Sequence, residues 1–383
     1  MIVERAILVG FSPRRVSREA QERSLDELAQ LVSSAGGVVA ARIAQQGRAN
    51  PAYLVGSGKL TEIESLQETS RADLVVFDDE LSPAQIRNLE QRLACRVIDR
   101  SMLILAIFAR HAQTKESRTQ VELAQYQYLY PRLTGQWTHL SKQWGGIGTR
   151  GPGETQLETD RRLVARRIQK LKRELTAIDA ERHVQRRGRR GLFKVVLVGY
   201  TNAGKSTLFN RLTRSRVWAA DRLFCTLDAT TRILAHGGER RILLTDTIGF
   251  IRKLPAPLFA AFRATLSEVS AADLIVVVID YADPGHVEAL KEVERSLVEI
   301  DAERVPRLYA LNKIDLLNGV VTTPFAPQQP APDVAAVSAQ TGTGIDRLVA
   351  AIVGMAAVAP TTAPRRRART ARSRTRWEAG GDR

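Results

Sequence analysis

Over residues 1–110 the chain alternates short apolar runs with amphipathic stretches of helical period. The runs lie at Arg5 to Val9, Val38 to Ile43, Ala52 to Val55, Leu74 to Phe77 and Arg96 to Ile98; the helical stretches lie at Arg18 to Ser34, Lys59 to Thr69 and Pro83 to Leu93. Short apolar segments separated by helical ones predict a small α/β unit. Two local signals sharpen the boundaries: the turn Gly56-Ser57-Gly58 precedes the second helix, and Ser82 followed by Pro83 supplies an N-cap and a first helical residue to the third.

The pattern changes over residues 111–190. Ser117 to Tyr130 reads as a helix, and a longer one begins near Glu154, with Leu157, Val164, Ile168, Leu171, Leu175 and Ile178 at heptad spacing, interrupted by Arg161. Between them Leu133 to Gly153 is rich in glycine, which predicts an antiparallel helical hairpin with a long, functional loop at its tip. Arg186 to Gly191 reads as a basic linker. From 191 to 358 strands and helices alternate as in a doubly wound, mostly parallel sheet. Residues 359–383 are Arg, Ala, Thr and Gly without an apolar core, a tail expected to be disordered in isolation.

A chain of 383 residues, 44% hydrophobic and 26% charged, has the composition of an ordinary globular protein of two or three domains. Its longest apolar runs, Met102 to Ala109 and Leu274 to Ile279, fall well short of the roughly 18 residues that a membrane span needs. The two cysteines, Cys95 and Cys225, stand outside any CxxC or Cys/His cluster, and the start MIVERAILVGFSPRR lacks a signal-peptide core. A reducing cytoplasm, no membrane and a monomer are the expectations. The net charge of +16 is concentrated: Arg161 to Arg190 carries +9 and Arg365 to Arg376 carries +7. A polyanion, nucleic acid above all, is the partner such a distribution suggests; a merely solvated helix face is the alternative.

The strongest chemical signal is Gly199-Tyr200-Thr201-Asn202-Ala203-Gly204-Lys205-Ser206-Thr207, a full GxxxxGK[ST] after the strand-like Val195 to Val198 and before a helical stretch. Its backbone N–H groups can surround a β-phosphate, Lys205 can reach the β/γ oxygens, and the Ser206 hydroxyl can bind Mg²⁺. Asn312-Lys313-Ile314-Asp315 selects the base. Asp315 can accept from the ring N–H and exocyclic amine of guanine, a donor pair that adenine lacks, while Asn312 adds an amide contact and Lys313 lays its stem along the ring. Ser338-Ala339, after a further strand, reads as the last guanine-contacting loop. The substrate is therefore GTP.

Between these motifs Asp246-Thr247-Ile248-Gly249 follows a strand. Asp246 can hold Mg²⁺ through water, and the Gly249 N–H can touch the γ-phosphate, so that its loss on hydrolysis frees a switch. A second switch segment, Phe224-Cys225-Thr226-Leu227-Asp228, offers Thr226 as a Mg²⁺ ligand, with Thr230 in reserve. Phe250 stands where many GTPases carry a water-orienting glutamine. A phenyl ring cannot orient water by hydrogen bonding, so unaided hydrolysis is expected to be slow and to await a partner. The loop at the hairpin tip contains a formal GxGxxG at Gly146, Gly148 and Gly151, but polar Ser141-Lys142-Gln143 precedes it, so a dinucleotide fold has no strand to build on. Gly145, Gly146, Gly148, Arg150, Gly151 and Gly153 instead suit close approach to an RNA backbone; a plain surface loop is the alternative.

Several blocks together resemble the HflX family of ribosome-associated GTPases: Pro51-Ala-Tyr-Leu-Val-Gly-Ser-Gly-Lys59, Phe77-Asp-Asp-Glu-Leu-Ser-Pro-Ala-Gln85, Val97-Ile-Asp-Arg100, Gln120-Val-Glu-Leu-Ala-Gln125 and Gly145-Gly-Ile-Gly-Thr-Arg-Gly-Pro-Gly-Glu-Thr-Gln-Leu-Glu158. The resemblance implies a cytoplasmic GTP hydrolase, partly ribosome-associated, that binds the large ribosomal subunit and its RNA with the glycine-rich loop aimed at the peptidyl transferase centre. It further implies splitting of stalled or idle ribosomes under stress, with hydrolysis releasing the factor. A large-subunit assembly or silencing factor that uses GTP as a release timer is the second reading. Ala229 stands where the family has proline in the Phe224 to Thr230 segment, and the basic tail is expected to add an RNA contact.

Overall fold

A computed structural model describes residues 4–133, 156–187, 191–215, 223–224, 227–235, 241–253, 255, 258–259, 266, 268–317 and 334–359. The glycine-rich loop, Thr226 and the basic tail lie outside the described residues.

The first part is a four-stranded sheet in the order β2-β1-β3-β4, parallel throughout. Its strands are β1 (Arg5–Ser12), β2 (Val38–Gln46), β3 (Leu74–Phe77) and β4 (Arg96–Asp99), with helices α1 (Arg18–Ala35), α2 (Ser57–Ser70), α3 (Pro83–Leu93) and α4 (Arg100–His111). Side-chain alternation along β1 feeds two cores, as a parallel sheet covered on both faces requires. Ala6 and Leu8 join Leu28 of α1 and Phe108 of α4, whereas Ile7 and Val9 join Ile63 of α2 and Leu89 of α3. Ser82 caps α3 as its sequence suggests: its Oγ accepts the Gln85 N–H at 3.2 Å while the Gln85 side chain accepts the Ser82 N–H at 2.9 Å. The apolar run 52–55 forms a turn closed by the Asn50 and Leu54 backbone pair, and no strand.

Helix α5 (Lys115–Leu129) packs on the long α6 (Gln156–Arg187). Arg161 donates to the Leu133 carbonyl, and Arg167 bonds Glu122 at 2.8 Å, a crossing pattern that makes the two helices antiparallel. Of the described heptad positions only Leu171 is fully buried, because α5 covers one side of α6 and leaves Val164, Ile168, Leu175 and Ile178 half-exposed. The helix also continues to Arg187, into the stretch that the sequence reads as linker.

The last part is a six-stranded sheet in the order β10-β9-β8-β5-β7-β6. Its strands are β5 (Phe193–Gly199), β6 (Thr230–Ile233), β7 (Ile242–Asp246), β8 (Leu274–Asp280), β9 (Arg307–Asn312) and β10 (Val334–Ala336). Only β6 runs antiparallel. Val195 and Leu197 of β5 pack toward α7 (Lys205–Thr213) and α9 (Ile345–Val358), and Val196 and Val198 face the opposite side, where α8 (His286–Glu299) lies. That second side is continuous with the α1/α4 core of the first sheet, so one apolar cluster runs through both sheets. Phe108 of α4 meets Phe224 edge-on, with ring centroids 4.5 Å apart.

Candidate functional site

The nucleotide motifs converge at the C-terminal ends of the parallel strands, where a doubly wound sheet places its ligands. Gly199 to Gly204 joins β5 to α7, Asp246 ends β7, Asn312 ends β9, and Ser338-Ala339 follows β10. Gly204 adopts φ +88°, and a Cβ there would stand 2.3 Å from Asn312 Nδ2, so only glycine fits between the two loops. The buried Lys205 ammonium donates to the carbonyls of Gly199 at 3.1 Å and Tyr200 at 2.8 Å, which folds it back over the loop. The Ser206 hydroxyl donates to Asp246 Oδ2 at 2.7 Å, and Asp246 is fully buried. An all-oxygen pair of hydroxyl and carboxylate beside a phosphate loop would suit a hard divalent cation. Thr247, by contrast, donates its hydroxyl to the Leu197 carbonyl at 2.7 Å.

On the base side, Asn312 ties two loops together. Its Nδ2 donates to the Ala203 carbonyl at 2.9 Å, and its Oδ1 accepts the Ala339 N–H at 3.0 Å. The Ser338 N–H goes to the Thr343 carbonyl at 2.9 Å, so this loop is braced from within. Lys313 pairs with Asp280 at 2.7 Å. Asp315 is exposed, an open acceptor at the mouth of the site.

The switch residues lie against the first sheet as well as the phosphate loop. Phe250 is buried in the shared apolar cluster; its N–H donates to the Gly199 carbonyl at 3.1 Å and its carbonyl accepts the Thr201 N–H at 2.7 Å. Thr201 Oγ1 accepts the Phe224 N–H at 3.2 Å. The Leu223 N–H donates to Ser34 Oγ of α1 at 3.1 Å, and Asp228 accepts the Gln113 and Thr114 N–H groups ahead of α5.

Residues 22–109 match a family model described as GTP-binding GTPase N-terminal, 111–189 one described as GTP-binding GTPase Middle Region, and 194–313 one described as 50S ribosome-binding GTPase. The GTPase HflX of Escherichia coli K12 is 47% identical over 352 residues, covering 91% of this chain and 82% of its own. The chain belongs to the HflX family of GTPases. It is accordingly a GTP hydrolase. GTPase HflX of Caldanaerobacter subterraneus subsp. tengcongensis is 45% identical over 352 residues, covering 91% of this chain and 80% of its own. Among solved structures, the SsGBP and GDP complex superposes with a TM-score of 0.50 at 27% identity, covering 93% of this chain and 99% of that one.

Sequence reasoning passes over one cluster of this HflX-type fold. Arg100, almost completely buried at the start of α4, pairs at 2.8 Å with Glu27 of α1 and at 2.8 Å with Asp78 after β3. Lys253 reaches Asp78 Oδ2 at 2.6 Å and Asp79 at 2.8 Å. Burial pushes the Glu27 carboxyl up from its ordinary value, against the pull of Arg100 and Tyr200. Burial also acts on Asp78, but Arg100 and Lys253 outweigh it and hold that carboxyl low. Asp78 and Arg100 lie inside the motif blocks quoted above, yet nothing local gives them a partner. Beside this cluster a cleft of about 350 Å³ opens between α1 and the phosphate loop, bordered by Glu27, Tyr200, Asn202, Arg252 and Asp283.

Proposed function

We propose that this HflX-family GTPase binds the large ribosomal subunit and, in its GTP state, separates stalled or idle ribosomes under stress, with hydrolysis releasing it. The observation that carries the reading is the match of 194–313 to the 50S ribosome-binding GTPase model, in a chain whose other two segments match the GTP-binding GTPase models. In this reading residues 1–110, 111–190 and 191–358 are an α/β unit, a helical hairpin and a nucleotide-hydrolysing domain, with 359–383 a basic tail. Gly199 to Thr207 takes the phosphates; Asn312, Lys313, Asp315, Ser338 and Ala339 take guanine; Ser206, Thr226 and Asp246 hold Mg²⁺. The cation neutralises charge that develops on the phosphate oxygens. The chain's own part is positional: the phosphate-loop amides face the β-phosphate, Lys205 turns from its carbonyl partners to the β/γ oxygens, and the Gly249 N–H reads the γ-phosphate.

RNA contact falls to Gly145, Gly146, Gly148, Arg150, Gly151 and Gly153, supported by the basic flank of α6. The test measures GTP turnover with and without large subunits at two salt concentrations, and particle profiles in a gradient. Salt-sensitive stimulation with loss of whole ribosomes supports splitting. Stimulation without loss of whole ribosomes supports the assembly or silencing reading, and no stimulation removes the ribosome as the activating partner. Replacing 145–153 with a short linker is expected to spare GTP binding and abolish splitting.

A further inference from the structure

Tyr200 belongs to the phosphate loop by position, but its hydroxyl turns away from the nucleotide side. It donates to Glu27 of α1 at 2.9 Å and accepts the Arg252 N–H at 2.9 Å. The other end of residue 252 is held as well, since its carbonyl accepts from Arg100 at 3.3 Å. Arg100 is fixed in turn by Glu27 and Asp78, and Lys253 is fixed by Asp78 and Asp79. Two successive residues beyond the DxxG motif are thus anchored by α1, α4 and the segment after β3. The buried Arg100 guanidinium and the more exposed Lys253 ammonium thus face three carboxylates, and Arg100 and Asp78, both almost fully buried, depend on each other for solvation.

The anchor lies three residues beyond Gly249, the part of the switch assigned to the terminal phosphate. Phe250 is bridged by backbone to Gly199 and Thr201. Gly249 is pressed so near the loop that a Cβ on it would stand 2.7 Å from Thr201 Cα and 2.9 Å from Lys205 Nζ. The ammonium that reaches the β/γ oxygens and the peptide that reads the terminal phosphate are therefore neighbours in this docked arrangement. We propose that Glu27 and Tyr200 are positioning residues for the GTPase switch: helix α1 holds the Gly249–Arg252 segment against the phosphate loop through Glu27, the Tyr200 hydroxyl and the Arg252 peptide.

A contact made only to the third phosphate distinguishes GTP from GDP, so a device that stabilises the docked segment favours GTP selectively. The inference rests on the nucleotide chemistry of the site and is independent of which ribosomal state the protein meets. Binding of GDP and of a non-hydrolysable GTP analogue is measured on the full chain for Glu27→Ala, Tyr200→Phe and the double variant, without ribosomes. The analogue is expected to bind about 5–20-fold more weakly in each, the lower part of the usual range for coupled sites. In Glu27→Ala, which lies outside the phosphate loop, GDP affinity stays within about twofold, and the double variant loses no more analogue affinity than either single one. Glu27→Gln, which keeps an acceptor for the Tyr200 hydroxyl, is expected to recover most of the loss. Hydrogen exchange at the Phe250 and Arg252 amides rises in the variants that weaken analogue binding. Equal loss of both nucleotides in Glu27→Ala, unchanged analogue affinity, or additive losses in the double variant would each overturn the proposal. GDP binding reports the integrity of the nucleotide site separately, so a failure here leaves the ribosomal reading standing.

Discussion

Phe250→Gln restores the residue that many GTPases use to orient water, and the structure gives a definite reason why it fails to restore catalysis. Phe250 is 3% exposed and shares an apolar cluster with Val198, Phe224 and Ile251. Its backbone is pinned on both sides by Gly199 and Thr201, which gives the segment no freedom to turn the side chain toward phosphate. Replacing the ring forfeits the burial of a large apolar side chain, ~1.5–3 kcal/mol. The incoming amide is left among apolar groups without a partner, which costs a further ~1–3 kcal/mol. A net loss of roughly 2.5–6 kcal/mol corresponds to a fall in Tm of roughly 5–24 °C at the sensitivity of a unit of 150–250 residues. Thermal unfolding with GDP bound and single-turnover GTP hydrolysis without ribosomes check both halves. A rise of about tenfold or more in unaided turnover, equivalent to about 1.4 kcal/mol of barrier, with Tm held, would refute the reasoning.

Gly204→Ala places a methyl group 2.3 Å from Asn312 Nδ2 at φ +88°, so it is expected to break the Asn312 bridge to Ala203 and cut GDP affinity by at least about tenfold in a titration. Asp315→Asn removes the acceptor proposed for guanine's donor pair, and competition between GTP and ATP is expected to show a loss of guanine preference of about 10²-fold or more. Cys95 is half-buried, and its thiol is pushed up to about 11 by burial and by the nearby Glu90. The thiolate therefore forms only as pH rises toward that value, and in a Cys225→Ser background labelling by a thiol reagent is expected to be slow at neutral pH and to accelerate through the alkaline range. Faster labelling at neutral pH than that of a free cysteine would contradict this burial.

Much of the site was legible because its chemistry is contiguous. A phosphate loop works through successive backbone amides, so Gly199 to Thr207 between a strand and a helix already carries its own geometry. The same holds for Asp246 to Gly249 and Asn312 to Asp315, each set by the strand that ends there. The β/α alternation followed from apolar runs and their spacing, and Ser82 announced the start of α3, whereas the order of the strands came from the fold. The tertiary structure decided what those residues touch. Asn312, read as a base contact, spends its amide on bracing Ala203 and Ala339. Tyr200, read as one more loop residue, carries its hydroxyl to a carboxylate 173 positions earlier. Phe250 could be recognised as an unsuitable water ligand, but only packing shows the cluster that it fills. Arg100 and Asp78 have neighbours in sequence that say nothing of an ion pair, and Lys253 finds Asp78 across 175 positions. A buried charge is stabilised by whatever the fold brings within about 3 Å of it. Such a partner leaves no local period or spacing, and so the coupling between the first sheet and the switch exists only once both sheets are packed together.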